Sequence, residues 1–292
     1  MKAFFKKHTL LFTLAVISIA LFSNLMTGFL QSFFPEHQTM YYLVEAILKS
    51  GIAAGLIFLM TKWGYTKKSN KKNIALGFIL CAFLLLFMAP NLLPLIYVNP
   101  ILFDIQWDNL FAILFATMGI GFMEEAGIRG TLLPLLCEKW KAKKHSYLKA
   151  ALVTSVLFGC IHFNWSVRYL ITHGTLPLSE FLSNFYQVSY CFCFGLFAAG
   201  ITMYTRSILS IAIWHGMVDF VAFMIYALIP LASVNYYNKQ GMLTFAYVLY
   251  KLGINQNLEL ITQLIMAMID ILLAVVGIIL ILKAEKKYIK SK

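Results

Sequence analysis

The chain has 292 residues, of which 61% are hydrophobic and only 12% charged, with a mean hydropathy of +0.78. This excludes a water-soluble globular domain and sets the class as a polytopic membrane protein. The net charge of +12 would suit a nucleic-acid partner, but the lysines lie in short runs between apolar segments, the pattern of a membrane-orientation signal, so nucleic acid is set aside.

Lys2, Lys6 and Lys7 precede an apolar run from Leu10 to Phe34, long enough to cross a bilayer at about 20 residues per span. Ser18 and Ala20 would form a signal-peptide cleavage site, yet the apolar run continues past them, which predicts an uncleaved anchor. Further spans follow at 41–61, 74–96, 109–136, 149–165, 187–204, 208–229 and 261–282. The expected fold is therefore all-α, a transmembrane bundle of about eight helices.

The loops alternate in charge. One side receives the N-terminus, the lysines of 62–72 and 139–149, Arg206 and the tail from Lys283 to Lys292. The other has only Arg168, Lys239 and Lys251, beside Glu36, Asp104, Asp108, Glu180 and Glu259. The excess of Lys and Arg places both termini in the cytoplasm, and the expected location is a bacterial plasma membrane. No linker or repeat marks a boundary, so 1–292 reads as one membrane-embedded domain whose outer loop, at about 230–260, is too short to form another.

Most polar residues within the spans have a structural reading. Glu45 and Lys49 stand four apart and neutralise each other as packing glue. Asp270 is alone in the last span, Pro90 and Pro94 close the third, and Pro134 should kink the fourth on its cytoplasmic side. Cys81, Cys137, Cys160, Cys191 and Cys193 form no CxxC pair and read as small core residues. Cys160 and His162 lie roughly 200° apart around a helix, so they make no nucleophile and base.

The fourth span is different. Its stretch Gly119-Ile-Gly-Phe-Met-Glu-Glu-Ala-Gly-Ile-Arg-Gly130 sets two adjacent carboxylates and a guanidinium in an apolar segment. Each charge costs about 2.5–3.5 kcal/mol at the bilayer centre and needs compensation. Glu125 and Arg129 share a helix face and can pair, whereas Glu124 projects about 100° away and needs another partner. Two later spans can answer it: one carries Phe158 and His162, the other His215 and Asp219, four apart on one face. At about 1.5 Å per residue, Glu124 lies about 20 Å from the lysines after its span, His162 about 19 Å from Lys149, and His215 and Asp219 about 13 and 20 Å from Arg206. In a core about 30 Å thick, helices read from three different loops thus bring their ionisable groups to one layer, a functional-site signature.

Glu124-Glu125-x-x-x-Arg129, Phe158-x-x-x-His162 and His215-x-x-x-Asp219 resemble the three motifs of the CAAX-protease and bacteriocin-processing (Abi) family of intramembrane endopeptidases. The approach from Gly195 through Gly200, Tyr204, Arg206, Ser207, Ser210 and Ile211 resembles it too, and the likeness covers about residues 109–225, the expected catalytic core. The resemblance implies a helical-bundle protease acting on a hydrophobic peptide or lipidated protein in the bilayer. It implies Glu124 as general base for the attacking water, His162 as a holder of that water, and His215 with Asp219 at the oxyanion. Glu125 with Arg129 is expected to act as a supporting clamp. Ile128 stands where relatives usually carry Phe, and Asp219 where some carry Asn, which leaves the last role open between hydrogen-bond donor and anion.

No cofactor is expected, although Glu124, His162 and His215 form a donor set suited to zinc, the rival mechanism. Two other functions compete with proteolysis: a bacteriocin-immunity protein that binds a peptide without cutting it, and a proton-coupled transporter using the cluster as a relay. No inverted repeat supports transport.

Overall fold

The computed structural model describes residues 38–62, 71–92, 105–163, 173–224 and 258–290, together with isolated helical positions between 11 and 29 and at 167, 170, 171 and 228. Its regular elements are all helical. They are α1 (Gln38–Lys62), α2 (Lys71–Cys81), continued through a 3₁₀ turn (Ala82–Leu84) into α3 (Leu85–Leu92), α4 (Trp107–Gly127), continued through a π turn (Ile128–Leu132) into α5 (Leu133–Lys139), then α6 (Ser146–Ile161), α7 (Leu178–Thr205), α8 (Leu209–Phe223) and α9 (Leu258–Lys290). This is the all-α bundle that the hydropathy predicts. The loop at 230–260, Pro94 and the lysines before Leu10 lie outside the described residues.

Thr39–Phe58, Trp107–Lys139, Asn184–Thr205 and Leu264–Lys287 are long and apolar enough to cross a membrane, and Ser146–Ile161 and Leu209–Phe223 are apolar but shorter. Large apolar side chains such as Ile47, Phe58, Ile79, Met268 and Ile271 point outward, as a lipid-facing surface requires. Of the expected first span, the described positions are helical, and Val16 and Ser23, seven apart, turn inward while Leu11, Leu14, Phe22 and Phe29 face out.

Lipid is as apolar as leucine, so burial alone does not draw such helices together; close packing at small residues does. A Cβ on Gly121 would lie 2.6 Å from both Ala212 O and Gly216 N, so α4 and α8 touch backbone to backbone. A Cβ on Gly200 would lie 2.6 Å from Gly277 O, which fixes the crossing of α7 with α9 in the same way. Gly119 faces Ala46, Lys49 and Ser50, and Gly127 faces Leu56, so α1 runs parallel to α4. Gly121 opposes Ala212 while Gly216 opposes Met118, so α8 runs antiparallel to α4. These directions agree with the alternation read from the loop charges.

Two local devices matter for the site. Pro134 has no N–H to offer, and the helix ahead of it widens into the π turn, in which the Leu133 N–H donates to Ile128 O and the Thr131 hydroxyl donates to Ala126 O at 2.8 Å. The departure expected at Pro134 thus takes the form of one wide turn holding Arg129. Between α7 and α8, Arg206 adopts the left-handed conformation (φ 57°), the Ser207 N–H donates to Thr205 Oγ1 at 3.3 Å, and the Leu209 N–H donates to Ser207 Oγ at 3.3 Å. That three-residue turn fixes where α8 starts and hence the height of His215.

One expectation needs correction. Cys81 and Cys191 are buried, but Cys137 and Cys193 are half-buried and Cys160 is exposed. Cys160 lies on the face of α6 opposite His162, away from the core, so it is not a packing residue there.

Candidate active site

α4 lies between α1 and α8, and the π turn that continues it meets α6, so three other helices surround the segment that carries Glu124, Glu125 and Arg129. The Gly121–Gly216 contact brings the α8 backbone against α4 one turn before Glu124 and one residue after His215. Ordinary side chains at these glycines would hold the helices apart and part the ionisable groups.

Glu125 is the hub. It is completely buried, and its Oε1 accepts from Arg129 Nη1 at 3.1 Å and from His215 Nδ1 at 3.0 Å. The first bond is the expected i, i+4 clamp; the second crosses 90 residues of sequence. The Arg129 guanidinium also lies 4.2 Å over the Phe158 ring. Phe158 in turn meets His162 and His215 edge to face at centroid distances of 4.9 and 5.9 Å, and Phe194 packs on His215 at 4.7 Å. One aromatic side chain therefore holds the buried cation and both imidazoles, at about 2 kcal/mol for the desolvated cation–π contact alone.

Because Nδ1 of His215 is committed to a carboxylate as donor, the imidazole presents Nε2 to the rest of the site. Nε2 lies 3.7 Å from Glu124 Oε2 and 3.8 Å from Asp219 Oδ2, between the two and bonded to neither. Protonated Nε2 would be an N–H donor in reach of an oxygen placed between these groups. Glu124, left over by the Glu125–Arg129 pair, has no hydrogen-bond partner for Oε2 among the described residues. Glu124 lines, with Val16, Ile19, Leu56, Gly127 and Phe158, a mostly apolar recess of about 20 Å³, about the volume of one water molecule.

His162 sits just past α6, not inside the 149–165 helix expected. Its backbone N–H donates to Gly159 O at 3.0 Å, and its Nδ1–H donates to Phe158 O at 2.9 Å, so the side chain caps the carbonyl that another helical turn would have used. That tautomer leaves Nε2 of the neutral ring as an acceptor. The carbonyl of His162 is held in turn by Asn184 Nδ2 on α7 at 3.4 Å. Asn184 is buried, and nothing in the sequence marked it, because it lies in no motif and touches the site only through the backbone.

The six expected residues thus divide into an inner set of Glu124, Glu125, Arg129, His215 and Asp219, joined by contacts of 3.8 Å or less, and His162, joined to it through Phe158. Among the described residues no group of three or more His, Cys, Asp and Glu side chains is arranged to hold a metal ion.

Residues 106–221 match the Rce1-like family model. Its description is type II CAAX prenyl endopeptidase Rce1-like, and the match bears out the resemblance carried by the three motifs. The Rce1-like stretch contains all six site residues, Phe158, Asn184 and both glycines of the α4–α8 contact, and it leaves α1 and α9 outside. It supports a CAAX-type intramembrane endopeptidase in general terms. No curated protein and no solved structure matches the chain.

Proposed function

We propose that the chain is an intramembrane endopeptidase that hydrolyses a peptide bond of a hydrophobic peptide or lipidated protein by glutamate chemistry, without a metal, in a core of about residues 109–225 within a single membrane domain. The observation that carries the reading is Glu124 Oε2, which has no hydrogen-bond partner among the described residues and lies 3.7 Å from Nε2 of an imidazole already oriented by a second carboxylate.

In this reading Glu124 takes a proton from water as its oxygen bonds to the substrate carbonyl carbon. His162 Nε2 accepts the other water hydrogen and fixes the attack angle. The tetrahedral oxyanion sits between α4 and α8, where protonated His215 Nε2 donates to it; a preorganised donor of this kind is worth about 10²–10³ in rate. Glu124 then passes its proton to the leaving nitrogen, the C–N bond breaks, and an acid and an amine are released. Glu125 never reacts. It keeps the His215 ring in register, while Arg129 and Phe158 keep Glu125 in place.

The experiment uses purified protein in lipid vesicles with two fluorogenic probes, a prenylated peptide and an unprenylated hydrophobic peptide. Wild type should cleave at least one of them, and Glu124→Gln should lower the rate about 10²–10⁴-fold while inserting at wild-type yield. Full activity of Glu124→Gln would reject the base. Cleavage of the prenylated probe alone would define the substrate class, and binding of both without cleavage would favour the immunity function.

A further inference from the structure

Nothing in the reaction above explains why the recess beside Glu124 is apolar. Val16 and Ile19 of the first apolar run, Leu56 of α1, Gly127 of α4 and Phe158 of α6 line it, and among the described lining residues Glu124 alone is polar. A buried water needs about two to four polar partners, and a cavity without them suits an apolar group instead. The recess also abuts the reacting groups, because its Phe158 wall is the ring that meets His162 and His215 at 4.9 and 5.9 Å.

The first apolar run is held against this part of α4 at two points. Val16 is buried, and its Cγ1 lies 3.4 Å from where a Cβ on Gly127 would be; Ser23 is buried, and its hydroxyl donates to Met123 Sδ at 3.4 Å. Met123 and Gly127 bracket Glu124, so the run lies across the turn that carries the base, with Ile19 between the two contacts. Size then selects the occupant. About 20 Å³ admits about one non-hydrogen group, which is the methyl of an alanine and not the branched end of a leucine. When Glu124 activates water against a carbonyl carbon, the side chain nearest to it is that of the residue donating the carbonyl.

We propose that the recess is the subsite for that side chain, and that Val16, Ile19 and Gly127 set its depth, so that the protein selects a small apolar residue on the carbonyl side of the cut. The proposal deepens the endopeptidase reading and rests on it. It also gives the first apolar run, which lies outside residues 106–221, a part in choosing the substrate.

The test uses the probe that wild type cleaves, remade with Gly, Ala, Val or Leu at the residue donating the scissile carbonyl, and reads kcat/KM for each in lipid vesicles. Two variants deepen the recess, Val16→Ala and Ile19→Ala, and one fills it. Gly127→Ala would set a methyl 3.4 Å from Val16 Cγ1 and 3.8 Å from Leu56 Cδ1, both ordinary contacts, on a backbone already helical at φ −65°, so it takes up the space without straining the fold. Wild type should prefer Ala. The deepened variants should raise the Leu-to-Ala ratio of kcat/KM about tenfold or more, and Gly127→Ala should move the preference from Ala to Gly, since a methylene in an apolar pocket is worth about 10–200-fold. Ratios that stay at wild-type values in all three variants, or that fall together with no change of preference, would overturn the proposal. Should the deepened proteins not insert, Gly127→Ala decides alone by the Ala-to-Gly ratio. A wild type that cleaves no probe, or full activity of Glu124→Gln, would instead bring down the endopeptidase reading and the subsite with it.

Discussion

Glu125 and Glu124 are neighbours with opposite fates, set by which face of α4 each occupies. Glu125 meets Arg129 and His215 inside the protein; Glu124 meets a recess. Replacing Glu125 by Gln should therefore act on the fold, because it leaves a buried guanidinium without its counter-charge, at about 3–5 kcal/mol. The expected outcome is a lower inserted yield and a lower unfolding temperature, together with loss of activity as His215 loses its orienting acceptor. Wild-type yield and stability would show that Arg129 has another counter-charge. Asp219→Asn separates the two roles that the i, i+4 spacing leaves open. If Asp219 is the anion that orients His215, Asn should cost most of the activity at every pH; substantial activity with a flattened pH–rate profile would assign it the donor role. At this scale the Glu125–Arg129 pair was legible because both partners lie on one helix. The Glu125–His215 bond and the Arg129–Phe158 contact were not, because partners on different helices share no spacing rule.

The helices were legible from hydropathy alone, and what the hydropathy missed are the features that aim the side chains. The expected fifth span stops four residues early because the His162 ring takes the Phe158 carbonyl, an event that an apolarity scale does not register. Pro134 signalled a departure from α geometry, but only the hydrogen bonds show that it is a π turn placing Arg129 under Glu125. The α4–α8 contact was equally hidden, since Gly121 and Gly216 are ordinary membrane-helix glycines until the register of two helices is known. That contact gives the prediction at this scale. Gly121→Ala would set a methyl 2.6 Å from Ala212 O and Gly216 N, with backbone on both sides and no flexible side chain to give way. Overpacking should cost about 1–3 kcal/mol, and a shift of about 1 Å between Glu124 and His215 should cost about 10²-fold in kcat. Gly55→Ala, on a helix face with nothing within 4 Å, is the matched control. Equal kcat for the two variants would mean that the helices adjust freely and that the contact does not set the site.

At the scale of the whole molecule the helix directions gather charge. The C-terminal ends of α1, α5, α7 and α9 bear Lys62, Lys139, Arg206 and the lysines at 283, 286 and 287, and α6 and α8 begin at that same end because they run antiparallel to their neighbours. By the positive-inside tendency an excess of Lys and Arg on one rim is expected on the cytoplasmic side, and near anionic lipid each is worth about 1 kcal/mol. The recess beside Glu124 leans the same way: Leu56, Gly127 and Ile128 line it beyond Glu124 in the direction of the basic rim, and Val16 and Ile19 of the first apolar run close its side. Water and substrate are thus expected to arrive from the basic rim, or sideways through that leaflet past Ile19, which remains 39% exposed at the mouth of the recess. With the five native cysteines replaced by alanine and Ile19 changed to Cys, a membrane-impermeant thiol reagent should label the protein from the cytoplasmic face, and a peptide substrate should slow that labelling by competing for the entrance. Labelling from the opposite face alone would overturn the entrance together with the orientation inferred from the lysines. Cytoplasmic labelling indifferent to substrate would keep the orientation and move the entrance elsewhere on the same rim.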